Sequence, residues 1–134
     1  MKTIMKRLPK GADLMETLTA LCEEENITKG SVQVIGAVEK AVVSYYRQDE
    51  RKYVDLVLDQ HLEILSGMGN ISLKDGKPFV HLHVVLSKES GECLGGHAMP
   101  GIVIFASEAI ITEVEGEPLE REYDEPTGLF LWKE

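Results

Sequence analysis

The chain has 134 residues, enough for one domain with its own core, and its 43% hydrophobic and 28% charged content is ordinary for a soluble globular protein. Its formal net charge of −9 repels phosphate backbones, and the basic cluster Lys2, Lys6, Arg7 and Lys10 is small, so direct DNA binding is disfavoured. No apolar run is long enough to span a bilayer, no signal-peptide core opens the chain, and Cys22 and Cys93 lack a CxxC spacing; a cytoplasmic protein with reduced thiols and no membrane partner is expected.

In chain order, "MKTIMKRLP" predicts a short strand closed by Pro9. The next segment, "GADLMETLTALCEEENITKG", predicts the one long helix, over about Asp13 to Asn26. Asp13 is placed to cap it and Glu16 to complete a capping box, while Leu14, Leu18, Leu21 and Cys22 share one face. Asn26 and Gly30 supply the stop. Beyond Gly30 the texture turns to β. "SVQVIGAVEKAVVSYYR" predicts two strands around Gly36 and Glu39, and "YVDLVLDQHLEILSGMGNISL" alternates until Gly67 and Gly69, where a bulge or corner is expected.

"KDGKP" is a hairpin turn before "FVHLHVVL"; "SKESGECLGG" reads as a loop, and "GIVIFASEAIITEVEG" as a long strand. The acid-rich "EPLEREYDEPTG", whose only base is Arg121, reads as an exposed connection, and "LFLWKE" as a last strand closing the sheet. One helix followed by strands without β-α alternation predicts a single α+β domain over residues 1–134, with a mainly antiparallel, barrel-like sheet.

Three of the four histidines fall between Gly76 and Phe105. On a strand, His81 and His83 share a face, about 6.5–7 Å apart, opposite Val80, Leu82 and Val84. Gly95 and Gly96 allow a close backbone approach, so a strand beginning at His97 can return beside them. Three histidines with an open fourth position form a zinc shell of the catalytic type. The competing reading keeps both strand histidines half-buried and satisfied by backbone or carboxylate partners. His61 is parity-matched with Glu63 as a further ligand candidate, and Cys93 offers a thiol near His97. Glu63 and Glu108 interrupt apolar strands, as a general base or a group orienting a ligand histidine would.

Taken in order, "RLPKGADL", "GSVQVIGAVEKAVVSYY", "EILSGMGNISLKDGKPFVHLHVVLS" and "GECLGGHAMPGIVIFASEAII" resemble the PPC family, the plants-and-prokaryotes conserved domain, in its stand-alone prokaryotic form. The resemblance covers about Lys6 to Ile111 and implies a compact α+β domain assembling as a homotrimer. In plants the domain accompanies AT-hook segments that bind DNA; no Arg-Gly-Arg core occurs here. The family's fold is also similar to that of acetolactate decarboxylase, which holds zinc on histidines. Position by position this implies His81, His83 and His97 as metal ligands, and Arg7 in its R-x-P-x-G segment as an anion-binding candidate. The expected function is a trimeric domain with a three-histidine zinc or small-ligand site, Glu63 or Glu108 moving protons in any reaction. The alternatives are a DNA-associated regulatory or assembly module and a structural trimer whose histidines bond across the interface.

Overall fold

The computed structural model describes residues 1–134. Strand β1 (Thr3–Leu8) leads into helix α1 (Leu14–Glu24). Asp13 caps the helix: one carboxylate oxygen accepts the Glu16 amide at 3.0 Å, and the other accepts the Gly101 amide at 2.6 Å. Only this half of the expected capping box forms, with no Glu16 side-chain bond back to the Asp13 amide; the second Asp13 oxygen fastens the helix start to the turn after the histidine segment. Leu14, Leu18, Leu21 and Cys22 are the helix's buried residues. Asn26 then takes a left-handed φ of 56° while Ile27 donates back to the Cys22 carbonyl, a stop for which asparagine is suited. The helix thus has 11 residues, three turns rather than the long element expected.

Seven strands form one antiparallel sheet. After β2 (Gly30–Arg47) come β3 (Lys52–Leu58), β4 (Leu62–Lys74), β5 (Lys77–Ser87), β6 (Cys93–Ala98) and β7 (Val103–Glu113). The order is β1-β7-β2-β4-β5-β6, with β3 on the far half of β2. The expected pair of strands between residues 31 and 47 is one continuous β2, bent where its register with β7 and β4 shifts around Gly36. Gly36 has φ 140°, and an added Cβ would lie 2.2 Å from the Ala106 carbonyl oxygen, so only glycine fits that bend. In β4 the bulge falls between Ile64 and Ser66, ahead of Gly67 and Gly69, which stay paired. Asp75 and Gly76 both have positive φ, the backbone of a tight two-residue hairpin turn.

The sheet is bent and is not a closed barrel, in contrast to the barrel-like form expected; β6 touches β2 through only Val43↔Ala98 and Ser44↔His97. The last segment also departs from expectation. "LFL" (β9, Leu129–Leu131) does not close the sheet but pairs with β8 (Glu122–Asp124) as a separate hairpin.

The two sheet faces have different chemistry. Val32, Val34, Ile64, Ile71, Val80, Leu82, Val84, Leu86, Ile104 and Ile111 point inward and join the helix residues in a single core. The outer face alternates with them and keeps His81, His83 and His97 outside that core. Leu82, 0% exposed, sits between the two strand histidines. Leu82→Ala should therefore destabilise the fold by about 2–5 kcal/mol, read as a lower urea midpoint at unchanged slope.

Candidate metal centre

Strand parity places His81 and His83 on the outer face of β5, and antiparallel register does the rest. His83 lies opposite His97 of β6, His97 opposite Ser44 of β2, and His81 opposite Asn70 of β4. Glycines let these strands crowd together. A Cβ at Gly69 would lie 1.8 Å from the His81 carbonyl oxygen, one at Gly95 2.1 Å from that of Val84, and one at Gly96 2.7 Å from that of Ser44. Gly95 and Gly96 are not in the left-handed region, so close approach is their role, and β6 begins at Cys93, before them.

The three rings converge. His81 Nε2 and His83 Nε2 are 3.2 Å apart, and one donor atom from each of His81, His83 and His97 lies within 4.8 Å of the others. Nitrogens each about 2.0–2.1 Å from one tetrahedral ion stand roughly 3.3 Å from one another, a spacing that the His81–His83 pair meets, with His97 close enough to close in as the third ligand. An all-imidazole set suits zinc and neighbouring transition metals better than calcium or magnesium. Burial, and then the positive charges of His97, His83 and Arg121, push His81 down to about 4; His97 is lowered by burial and by His83 and Arg121. Both are neutral at pH 7, the form in which an imidazole ligates a metal.

Two aromatic and one cationic side chain frame the cluster. Tyr53 lies against His97 with ring centroids 5.3 Å apart and is itself packed on Tyr46 at 5.0 Å. Arg121 is 7% exposed. Its Nε donates to Ser72 Oγ at 2.7 Å, Nη1 to the Phe130 carbonyl at 3.0 Å and Nη2 to Asn70 Oδ1 at 3.1 Å. A cleft of about 920 Å³ joins it to His81, walled by Asn70 and by the β8–β9 hairpin with Trp132. The segment read as an exposed connection stays mostly exposed, yet it brings Arg121 and the hairpin beside His81. Its one visible signal was Arg121, a single base among acids; Asn70, Tyr53 and Trp132 gave none.

The remaining candidates lie elsewhere. Glu63 and His61 line a separate cavity of about 570 Å³ with Glu39, Lys88 and Phe105. Glu63 is five residues from Met68, the partner of His83, roughly 16 Å along a strand rising about 3.3 Å per residue. Arg7 and Glu108 are cross-strand partners in a shallow groove with Met5 and Ile35. No carboxylate hydrogen-bonds to an imidazole of the cluster. Cys93 is exposed and bonds to the Gly91 carbonyl; burial, then Glu23, pushes the Cys22 thiol up to about 11, as fits a core residue.

The Plants and Prokaryotes Conserved (PCC) domain matches residues 1–115. A metal-containing protein of Archaeoglobus fulgidus superposes with a TM-score of 0.95 at 45% identity, over 100% of this chain and 94% of that one. A plant- and prokaryote-conserved protein of Pyrococcus horikoshii gives 0.95 at 34%, over 100% and 92%. A Bacteroides thetaiotaomicron structure, provisionally assigned as DNA-binding, gives 0.90 at 25%, over 98% and 91%. Among curated relatives, the bifunctional protein GlmU of a Synechococcus strain is 30% identical over 91% of this chain, which spans only 18% of that protein's length.

Because the depressed His81 pKa keeps the ring neutral, the metal-free fold binds fewer protons than the unfolded chain between about pH 6.5 and about 4. This contribution to stability is present above pH 6.5 and is lost as pH falls through the folded value. In an NMR titration of metal-free protein, the His81 ring resonances should move near pH 4; a midpoint near 6.5 would contradict the burial described.

Proposed function

The chain belongs to the Plants and Prokaryotes Conserved domain family, and on that premise we propose that it is a homotrimeric metal protein holding zinc on His81, His83 and His97. The observation that supports this most is the convergence of three imidazoles, two of them with Nε2 atoms 3.2 Å apart. The metal-containing Archaeoglobus relative, 45% identical over the whole chain, supports the same reading. Three protein ligands leave a fourth position for water or a small ligand. A zinc ion there supplies Lewis acidity, polarising a carbonyl or acidifying a bound water. The protein's part is to orient the three rings through the β4-β5-β6 ladder and to wall His81 with the β8–β9 hairpin. Glu63 and Glu108 have no role in this reading, since they lie on other parts of the sheet.

Assembly as a trimer draws support from the outer face, where Met5, Ile35, Met68, Val85 and Phe105 are all 44% or more exposed. Closed cyclic symmetry covers such surfaces on every copy at once. No helix is long and apolar enough to cross a membrane, and two unpaired cysteines suit a reducing, cytoplasmic setting.

Untagged protein should contain about one zinc per chain by elemental analysis and elute with a light-scattering mass near three times 14.9 kDa. His97→Ala should lower zinc affinity by about 100-fold or more while the mass stays unchanged, since the ring lies outside the core. A monomer at all dilutions would sink the assembly, and an unchanged affinity would sink the ligand set.

The second reading, a DNA-associated regulatory or assembly module, draws on the Bacteroides relative. The charge of −9 speaks against direct contact. Duplex DNA should bind weakly and without sequence preference in a salt-dependent gel shift; a sub-micromolar complex surviving non-specific competitor at about 0.15 M salt would favour this reading instead.

A further inference from the structure

A second concavity lies on the outer face, at the end of β4 away from the histidines, and strand register makes it. Along one cross-strand row Ala106 pairs with Ala37, Ala37 with Glu63, and Glu63 with Ser87. Small residues on both sides of Glu63 leave a hollow, and register shifts after Ala37 in β2 and after Ile64 in β4 bend the sheet around it. The resulting cavity of about 570 Å³ has the size of a small-molecule site. Its polar lining is almost all acceptor. Glu39, Glu63 and Glu89 bring carboxylates, and Glu63 and Glu89 enter no ion pair. Ser87 is 8% exposed and its hydroxyl donates to the Lys88 carbonyl at 2.9 Å, so only its lone pairs remain for a ligand. Lys88, the one lysine of the lining, is drawn off to Glu92 at 3.2 Å.

An ammonium group already occupies the rim. Lys10 reaches over from the β1–α1 connection and sets its Nζ 3.2 Å from a Glu39 carboxylate oxygen and 5.5 Å from the centroid of the Phe105 ring. An aromatic face beside a carboxylate is a setting that holds an organic cation. A single metal ion does not suit the cavity. Only the histidine centre brings three ligand atoms within 4.8 Å of one another, so His61 and the cavity's carboxylates stand too far apart to share an ion. They suit a longer ligand. Glu39 is two residues from Ala37, the partner of Glu63, which puts the two glutamates on a diagonal of about 7–8 Å. A chain of four or five carbons separates two ammonium groups by a comparable length, roughly 6–7 Å. We propose that this cavity binds a small aliphatic diamine or polyamine. One ammonium sits at Glu63 and Ser87, and the other takes the place of Lys10 at Glu39 and Phe105. The site is separate from the metal centre, since Glu63 stands roughly 16 Å along β4 from the histidine row. Phe105 also belongs to the apolar outer face, so the protein to test is the assembled one.

The experiment titrates full-length untagged protein with putrescine, the four-carbon diamine, by calorimetry at about 0.15 M salt, where diffuse attraction to an acidic surface is screened. One putrescine should bind per chain, with the same affinity whether zinc is loaded or chelated away. Butylamine, with one ammonium, should bind about tenfold more weakly or worse, and butanediol should not bind. Glu63→Gln should weaken putrescine by about tenfold or more, the scale of a lost charge-assisted contact. Lys10→Met should tighten it several-fold, because the resident ammonium no longer competes. Both side chains are exposed, so neither variant should lower the melting temperature. Glu24→Gln and Lys77→Met make the same changes of charge elsewhere on the surface and should leave the affinity as it is. Absence of saturable binding, a Glu63→Gln variant no weaker than Glu24→Gln, or weaker binding in Lys10→Met would overturn the proposal. Magnesium displacing putrescine at equal concentration would assign the cavity to metal ions instead. Binding that requires zinc would move the diamine to the histidine centre and overturn the site.

Discussion

Strand β5 is squeezed from both sides, and the candidate centre depends on that squeeze. On one flank Gly69 admits the His81 carbonyl, and on the other Gly95 admits that of Val84; a methyl group at either would push the backbones apart. Both contacts are to main chain, so no side chain can swing away to make room. The crowding brings the β6 histidine within reach of the β5 pair. Strands at ordinary spacing would leave His97 opposite His83 with no assurance that the rings meet a third.

The same alternation separates stability from chemistry. Val80, Leu82, Val84 and Leu86 tie β5 into the core, while the residues between them face outward and contribute little to it. Changes to the imidazoles are therefore expected to leave the fold standing. Arg121 is the exception: it belongs to the cleft, yet through Ser72, Asn70 and Phe130 it also holds the β8–β9 hairpin on the sheet. Loss of that one side chain touches both.

Much of this was legible in the sequence because it is local. Asp13 and the leucine stripe mark the helix, Asp75-Gly76 marks the hairpin, and the H-x-H spacing assigns two imidazoles to one strand face. The Gly-Gly pair before His97 pointed to a close approach, although the reason is sheet crowding rather than a left-handed turn. What escaped was non-local. Arg121 meets Asn70 and Ser72 across 51 and 49 residues, and no periodicity within "EPLEREYDEPTG" encodes that meeting. Glu63 and Glu108 misled for a related reason. A carboxylate on an apolar strand looks purposeful, but alternation fixes only its face, and strand length carries Glu63 far from the histidines.

The central claim is that three imidazoles from β5 and β6 share one ion, and anomalous diffraction tests it most directly. Crystals of untagged protein measured on both sides of the zinc edge should show one anomalous peak per chain, about 2.0–2.1 Å from a ring nitrogen of each of His81, His83 and His97. Protein soaked with zinc at neutral pH that shows no peak there, or a peak held by other residues, would contradict the account.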